Sequence, residues 1–389
     1  MANTFKFGNG NWAVKKDSVL AYNDENDNFK PLPFDFTRDS TATYVDSDGL
    51  IKTASNNEAR IDYLDNANGH LLLEPSRTNL ATYSEDFSNG AWIKYGTPTI
   101  TINNVTSPDG TLTGTKVERG SNSVPLRESG ITTLNTEYTF SIYAKKGNHD
   151  ELRLDIGDEG EGTNDFILTD EWQRFEMTST PDTYTHVDIT LPNSSSGDYI
   201  YIWGAQVEAG SYATSYIPTN GETNGVTRAA DSANQTAPDG VIGQTEGTIY
   251  VDVDVNESTG ISTSLPIRFN LNNGISTENW VFIGIESGDN LRVYVRANAS
   301  TSVDFTKNAV FPTSGNYKIA MSFKANKTVC YVNGVLQLDR DEGVVPNNLN
   351  SIGLGASITG SASSEKSQTK EIKVYNTALT DAELITLTT

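Results

Sequence analysis

Apolar residues in this chain recur every second position, over and over, and that constrains the fold more than any other feature. Ile249, Val251, Val253 and Val255 alternate with Tyr250, Asp252 and Asp254. Leu291, Val293 and Val295 alternate with Arg292, Tyr294 and Arg296, and the pattern returns at Tyr317, Ile319, Met321 and Phe323. Farther upstream, Tyr138, Phe140, Ile142 and Ala144 alternate with Thr139, Ser141, Tyr143 and Lys145. Successive side chains of a strand point to opposite faces, so a period of two predicts half-buried strands. Residues 171–177 form another candidate strand, and 199–207 are apolar on both faces, as in a central strand. Asn333-Gly334 lies between the apolar runs 329–332 and 335–338. Both residues tolerate positive φ, which makes this a strong hairpin signal. One helix is expected, at the C-terminus, where Thr380-Asp381-Ala382-Glu383 matches a capping box.

Turn residues at 109–110, 146–148 and 196–198 separate short strands, the mark of an all-β sandwich. Four regions follow. Residues 1–78 are β-rich and irregular: Phe5, Phe7 and Trp12 open them, a polar turn spans 23–28, Pro31 and Pro33 demote their surroundings to edge or extended chain, and Asp46-Ser47-Asp48-Gly49 reads as a hairpin turn. This stretch is too short of apolar residues to bury a core alone and is expected to lean on a partner or a neighbouring domain. Residues 79–220 and 247–389 each read as an antiparallel sandwich, and 221–246, polar and without a period, as a linker. Heptads, hexapeptide repeats and collagen triplets are absent, so no long fibrous shaft is encoded.

Charge narrows the partners. The formal net charge is −22, and such a chain repels phosphate backbones, which argues against nucleic-acid binding. The acidity keeps an exposed protein soluble and suits divalent cations. The single cysteine, Cys330, rules out a disulfide within the chain, and His70, His149 and His186 are scattered. No apolar run approaches the ~20 residues of a membrane span, and residues 1–12 carry no apolar signal core, so cytoplasmic synthesis without membrane insertion is expected.

Three segments resemble known proteins. FDFTRDSTATYVDSDGLIKTASNNEARIDY (34–63) with LLLEPSRTN (71–79) resembles a block of tailed-bacteriophage tail-fibre and head-fibre proteins, with Ala59-Arg60 where that pattern has Pro-Arg. Residues 79–217, opening on TYSEDFSNGAW, continuing through SPDGT (107–111) and closing on WGAQVEAGSYATSYIPT, resemble a carbohydrate-binding-module jelly roll. Residues 247–389, with YKIAMSFKANKTVCYVNGVLQ and KEIKVYNTALTDAEL, resemble a concanavalin-A-like or laminin-G-like jelly roll. The resemblance implies a virion structural protein: an N-terminal attachment and oligomerisation region, two jelly rolls, virion partners, bacterial surface glycans as ligands, and a homo-oligomer, a trimer by analogy with fibres. Both jelly-roll types also serve as plain spacers.

Sugar binding needs aromatic faces together with amides and carboxylates. Tyr143, Tyr250 and Tyr294 lie opposite the apolar faces of their strands and are the candidate contacts; a second packed sheet would claim them equally well. Trp92, Trp203 and Trp280 sit in apolar patterns and are expected in cores. By position, the resemblance implies that Asp86, Asp109 and Glu208 would hold a structural Ca²⁺, while Asp109 alone also suits the shaping of its turn. The acidic stretch 155–161 reads as a solvated turn, and Asp24-x-Asn26-x-Asn28 lacks a calcium loop's glycine because Phe29 occupies that place. No GxSxG, HExxH or Walker pattern occurs. A binding protein rather than an enzyme is expected; a glycan depolymerase with lectin-like domains is the alternative, and an inert spacer the third reading.

Overall fold

The computed structural model describes residues 5–15, 18–20, 34–64, 66–122, 126–157, 163–237, 240–255, 267–274, 278–286, 288–354 and 366–389. The expected turn at 23–28, Pro31, Pro33 and most of the acidic stretch 155–161 lie outside them. The fold is all-β, as the alternation requires, with one helix described, Asp381–Thr388.

Two sandwiches make up the molecule. The larger faces an eight-stranded sheet against a nine-stranded one. In the first, Val335–Arg340, Lys327–Val332, Gly315–Lys324, Glu246–Val255 and Ser367–Tyr375 follow one another, and the Asn333-Gly334 turn joins the first two with both φ positive. The free side of Ser367–Tyr375 is shared by two strands from the other end of the chain: Phe5–Gly8 pairs with 371–374 and His70–Leu73 with 367–369. In the second sheet Ser232–Thr236 lies between Phe34–Thr37 and Ser351–Leu354, followed by Ile267–Asn272, Trp280–Glu286, Asn290–Ala297 and Ser300–Lys307. One apolar core joins Phe5, Phe7, Phe34, Phe36, Leu71 and Leu73 to Val251, Ile283, Val293, Ile319 and Ile372.

The expected division at 78 and the expected linker therefore take another form. Residues 1–78 contribute core strands to the C-terminal sandwich, which answers their shortage of apolar residues. Within 221–246, Val226–Arg228 and Ser232–Thr236 are strands. Their polarity arises in part from a buried ion network that includes Arg228 and Asp231, and Ala233 of the second strand lies in the core.

The smaller sandwich comes from one continuous stretch and is inserted into the larger. One sheet runs Ile93–Lys94, Leu126–Ser129, His186–Thr190, Glu151–Ile156, Thr163–Ile167, and the other Thr99–Val105, Gly114–Glu118, Tyr199–Ala209, Tyr138–Lys146, Gln173–Ser179. Trp92, Phe87, Phe140, Ile142, Ile189 and Ile202 fill its core. The chain enters along Arg77–Asn79 and leaves along Val226–Arg228, and these two strands pair antiparallel, clasping the insertion at its neck.

On the outside of the eight-stranded sheet the helix covers Tyr250, Ala320, Tyr331 and Tyr375 through Leu384. Glu383 reaches back to accept the Thr380 backbone N–H at 2.8 Å, as the capping pattern predicts. Cys330 is fully buried in the core, and burial pushes its thiol up to about 12, out of reach of thiolate chemistry at neutral pH. No helix among the described residues is long and apolar enough to cross a membrane.

Candidate functional site

The most charged interior lies at the neck. Arg38, Arg60, Glu74, Arg228 and Asp231 are at most 1 % exposed. Arg60 bridges the acids, 2.8 Å from Glu74 Oε2 and 2.5 Å from Asp231 Oδ2. Arg38 meets Asp231 at 3.0 Å, and Arg228 meets Glu74 at 2.6 Å. The Ser215 N–H, from the closing segment of the smaller sandwich, donates to Glu74 Oε1 at 2.8 Å. Burial by itself would raise the Glu74 carboxyl, but Arg228 and Arg60 hold it well below the usual carboxylate range. Most of these residues come from the segments that carry the fibre-protein resemblance. They lock the two sandwiches together and are closed to ligands.

The hairpin Ala42–Val45/Ile51–Ala54 lies against the outer face of the smaller sandwich, packing Val45 and Ile51 on Trp203, Tyr216 and Tyr143. That cover decides the fate of Tyr143. Its ring meets Trp203 edge-on at 5.6 Å, with the Arg174 guanidinium 5.5 Å from its centroid, beside a small cavity of about 40 Å³. Burial raises its phenol. Tyr250 is 3 % exposed beneath the helix. Tyr250 therefore offers no face to a sugar, while Tyr143 is half-buried, with Trp203 on its edge and Arg174 over its ring. Tyr294 is half-buried on the outside of the nine-stranded sheet. It stacks on Phe282 at 5.0 Å and 18°, with Trp280 at 5.8 Å and Arg292 at 5.4 Å. Trp280, expected in the core, belongs to this outer cluster. Trp92 is in the core of the smaller sandwich, and Trp203 is buried under the hairpin.

Beyond the hairpin the same outer face is open. Tyr201 pairs across the sheet with Lys116 on one side and Lys145 on the other, and Tyr199 lies two residues along its strand. Tyr199 and Tyr201 meet edge-on at 5.6 Å. The Lys116 ammonium sits 4.0 Å from the Tyr199 centroid; that of Lys145 sits 5.3 Å from Trp172 and 5.7 Å from Tyr201. Trp172 is anchored across the sheet by its Nε1, which donates to Thr106 O at 2.8 Å. Gly114 answers the close approach of Val105, since a Cβ there would lie 2.8 Å from the Val105 carbonyl oxygen and 3.2 Å from the indole. All three rings are half-buried, so each is held yet partly open. The sequence does not single out Tyr199 and Tyr201, because 199–207 is apolar on both faces. Their alternation with Ile200 and Ile202 was the available signal.

The three positions assigned to calcium do not converge. Glu208 is fully buried near the neck, where it accepts the Thr214 N–H at 2.6 Å and the Thr214 hydroxyl at 2.7 Å. Asp109 shapes its own turn, accepting from Ser107 Oγ at 2.6 Å and from the Thr111 N–H at 2.8 Å. Asp86 caps Ser88 and borders a surface cleft of about 420 Å³ that also includes Glu85 and Glu222. Among the described residues no three His, Cys, Asp or Glu side chains are grouped to hold a metal ion.

Comparison with known proteins bears on the C-terminal part. Residues 236–385 match the concanavalin A-like lectin/glucanases superfamily. Among solved structures, the NanB sialidase of Streptococcus pneumoniae is similar at 18 % identity and a TM-score of 0.32, over 38 % of this chain and 24 % of that one, so the chain spans about a quarter of that enzyme. The CBM40 of the Ruminococcus gnavus IT-sialidase is similar at 15 % identity and 0.32, over 38 % and 85 %. Domain 4 of AbnA, an extracellular arabinanase of Geobacillus stearothermophilus, is similar at 17 % and 0.32, over 41 % and 73 %. No curated protein matches. The segment that matches this superfamily supplies most strands of the larger sandwich, and strands from residues 5–73 outside it complete the sheets.

Proposed function

We propose that this chain is a structural protein of a bacteriophage virion, a fibre or decoration component, that grips host-surface glycans without cleaving them. The observation that carries the glycan part is the open row of Trp172, Tyr201 and Tyr199 on the smaller sandwich. Rigid, partly exposed rings offer apolar faces for the C–H faces of sugars, and they lose little conformational entropy on binding. The fibre-protein resemblance of residues 34–79 and the lectin-type match of residues 236–385 point the same way. Individual contacts of this kind are weak. A homo-oligomer, a trimer by analogy with fibres, would present several rows at once and gain avidity without new contacts.

Glycan arrays probed with the full chain, with and without EDTA, test the reading. Binding that is lost in Trp172→Ala and Tyr201→Ala, with thermal unfolding unchanged, supports it; silence in both conditions favours a spacer. Loss with EDTA alone would restore a role for calcium. Release of reducing ends from host capsule or cell-wall glycan would favour the depolymerase instead. Light scattering reads the oligomer.

A further inference from the structure

Resting on that reading, we infer that the aromatic row on the smaller sandwich selects anionic glycans, polymers bearing uronate or another carboxylated sugar. The chain as a whole carries a net charge of −22 and would repel a polyanion. Its open aromatic row is nonetheless edged by cations. Lys116, Tyr201 and Lys145 stand side by side on three adjacent strands. A sugar stacked on Tyr201 would place its ring substituents beside both ammonium groups.

The two lysines are not equivalent. Lys116 already pairs with Glu118 at 2.7 Å, and neighbouring Lys146 pairs with Asp170 at 3.3 Å. Arg174, farther along the face, donates to Thr214 O and Ser141 Oγ. Lys145 has no carboxylate partner among the described residues; its ammonium is held between the rings of Trp172 and Tyr201. Ring faces attract a cation without consuming its hydrogen-bond donors, so Lys145 is positioned and still able to donate. A glycan carboxylate stacked there would accept a charge-assisted hydrogen bond. A neutral sugar would gain only the stacking.

Titration calorimetry with oligogalacturonate and with the same oligosaccharide after carboxyl reduction tests this. The intact chain should bind the acidic form about tenfold more tightly than the reduced form, the scale of one hydrogen bond to a charged group. Added salt should narrow the gap, because exposed charges are screened. Lys145→Gln should bring the affinity ratio of the acidic to the reduced form down to about one, and Lys145→Arg should retain the preference. Equal binding of the two forms, lost in Trp172→Ala, would overturn the anionic preference while leaving glycan binding at the row intact. Binding of neither form would overturn the preference together with the reading beneath it. Polyglutamate bound as tightly as oligogalacturonate, with Trp172→Ala silent, would overturn it in favour of an acidic protein partner.

Discussion

The two sandwiches share an architecture and differ in how the chain builds them. The smaller is local: all of its strands lie between residues 93 and 209. The larger is closed by the chain's two ends, since Phe5–Gly8 pairs with Ser367–Tyr375 across more than 350 residues of sequence. Their outer faces differ in turn. In the larger, the helix caps one face and the rings of Trp280, Phe282 and Tyr294 pack on one another on the other. In the smaller, a hairpin covers part of a face and leaves the rest as an open aromatic row. Closing the larger sandwich from both ends fixes the frame, and the inserted sandwich is free to carry the exposed surface. The neck holds these two roles together.

The largest expected effect breaks that connection. Arg60→Ala leaves Glu74 and Asp231, both buried, short of a counter-charge. Removing one partner of a buried ion pair costs about 3–5 kcal/mol. Urea unfolding followed by tryptophan fluorescence should show the loss in both sandwiches, because Trp92, Trp172 and Trp203 report on the smaller and Trp12 and Trp280 on the larger. A shift confined to one sandwich would show that the neck is not a shared lock.

Core truncations sharpen the comparison from the other side. Phe7 and Phe140 are both 0 % exposed, one in each core. Each change to alanine should cost about 3–5 kcal/mol, but within its own sandwich. Phe7→Ala is the more telling, because the strand of residue 7 pairs with Ser367–Tyr375, more than 350 residues along the chain. If Phe7→Ala left the larger sandwich's transition unmoved, the N-terminal strand would not belong to that core.

What was legible in the sequence follows from what periodicity can carry. Alternation at 249–255, 291–295 and 317–323 exposed the strands and their inward faces, and Asn333-Gly334 exposed a hairpin, since these are local signals. Pairing between Phe5–Gly8 and Ser367–Tyr375 leaves no local trace, so residues 1–78 read as a separate block. The polar stretch 221–246 read as a linker because Arg228 and Asp231 have buried partners at Arg60 and Glu74, more than 150 residues away. Tyr143 and Tyr201 show the same limit at the candidate site. Both point outward from one sheet and both are half-buried, and only the hairpin at 42–54, which packs beside Tyr143, tells their surroundings apart.

Acid separates the neck from the smaller sandwich. Glu74 is held below the usual carboxylate range, so its contribution is present above the unfolded carboxylate value of about 4.3 and is lost only as pH falls through the depressed folded value. Glu128, 2 % exposed in the smaller sandwich, has its carboxyl raised by burial, against the opposing hydrogen bond from Thr82. Its contribution runs the other way: fully present below the unfolded value, and lost as pH rises through the raised one. Mild acid should therefore stabilise the smaller sandwich before it weakens the neck. Glu85, also raised by burial, acts in the same sense. Melting curves taken from neutral pH down to the unfolded carboxylate value of about 4.3 should show a rise for the smaller sandwich that Glu128→Gln reduces; a rise of undiminished size in the variant would place the titrating group elsewhere.

The smallest effect concerns a single turn of the larger sandwich. Gly334 has φ +76°, and its N–H donates to Thr388 Oγ1 at 3.1 Å, tying the hairpin to the end of the helix. An added Cβ would lie 2.8 Å from the Thr389 methyl, which can turn aside, so the cost falls mainly on the left-handed backbone. Gly334→Ala should lower the larger sandwich's stability by about 1–2 kcal/mol. The smaller sandwich's transition and any glycan binding at Tyr201 should stay unchanged. A matching fall in the smaller sandwich would mean that the two unfold as one unit through the neck, and the separate transitions expected of the phenylalanine variants would then fail as well.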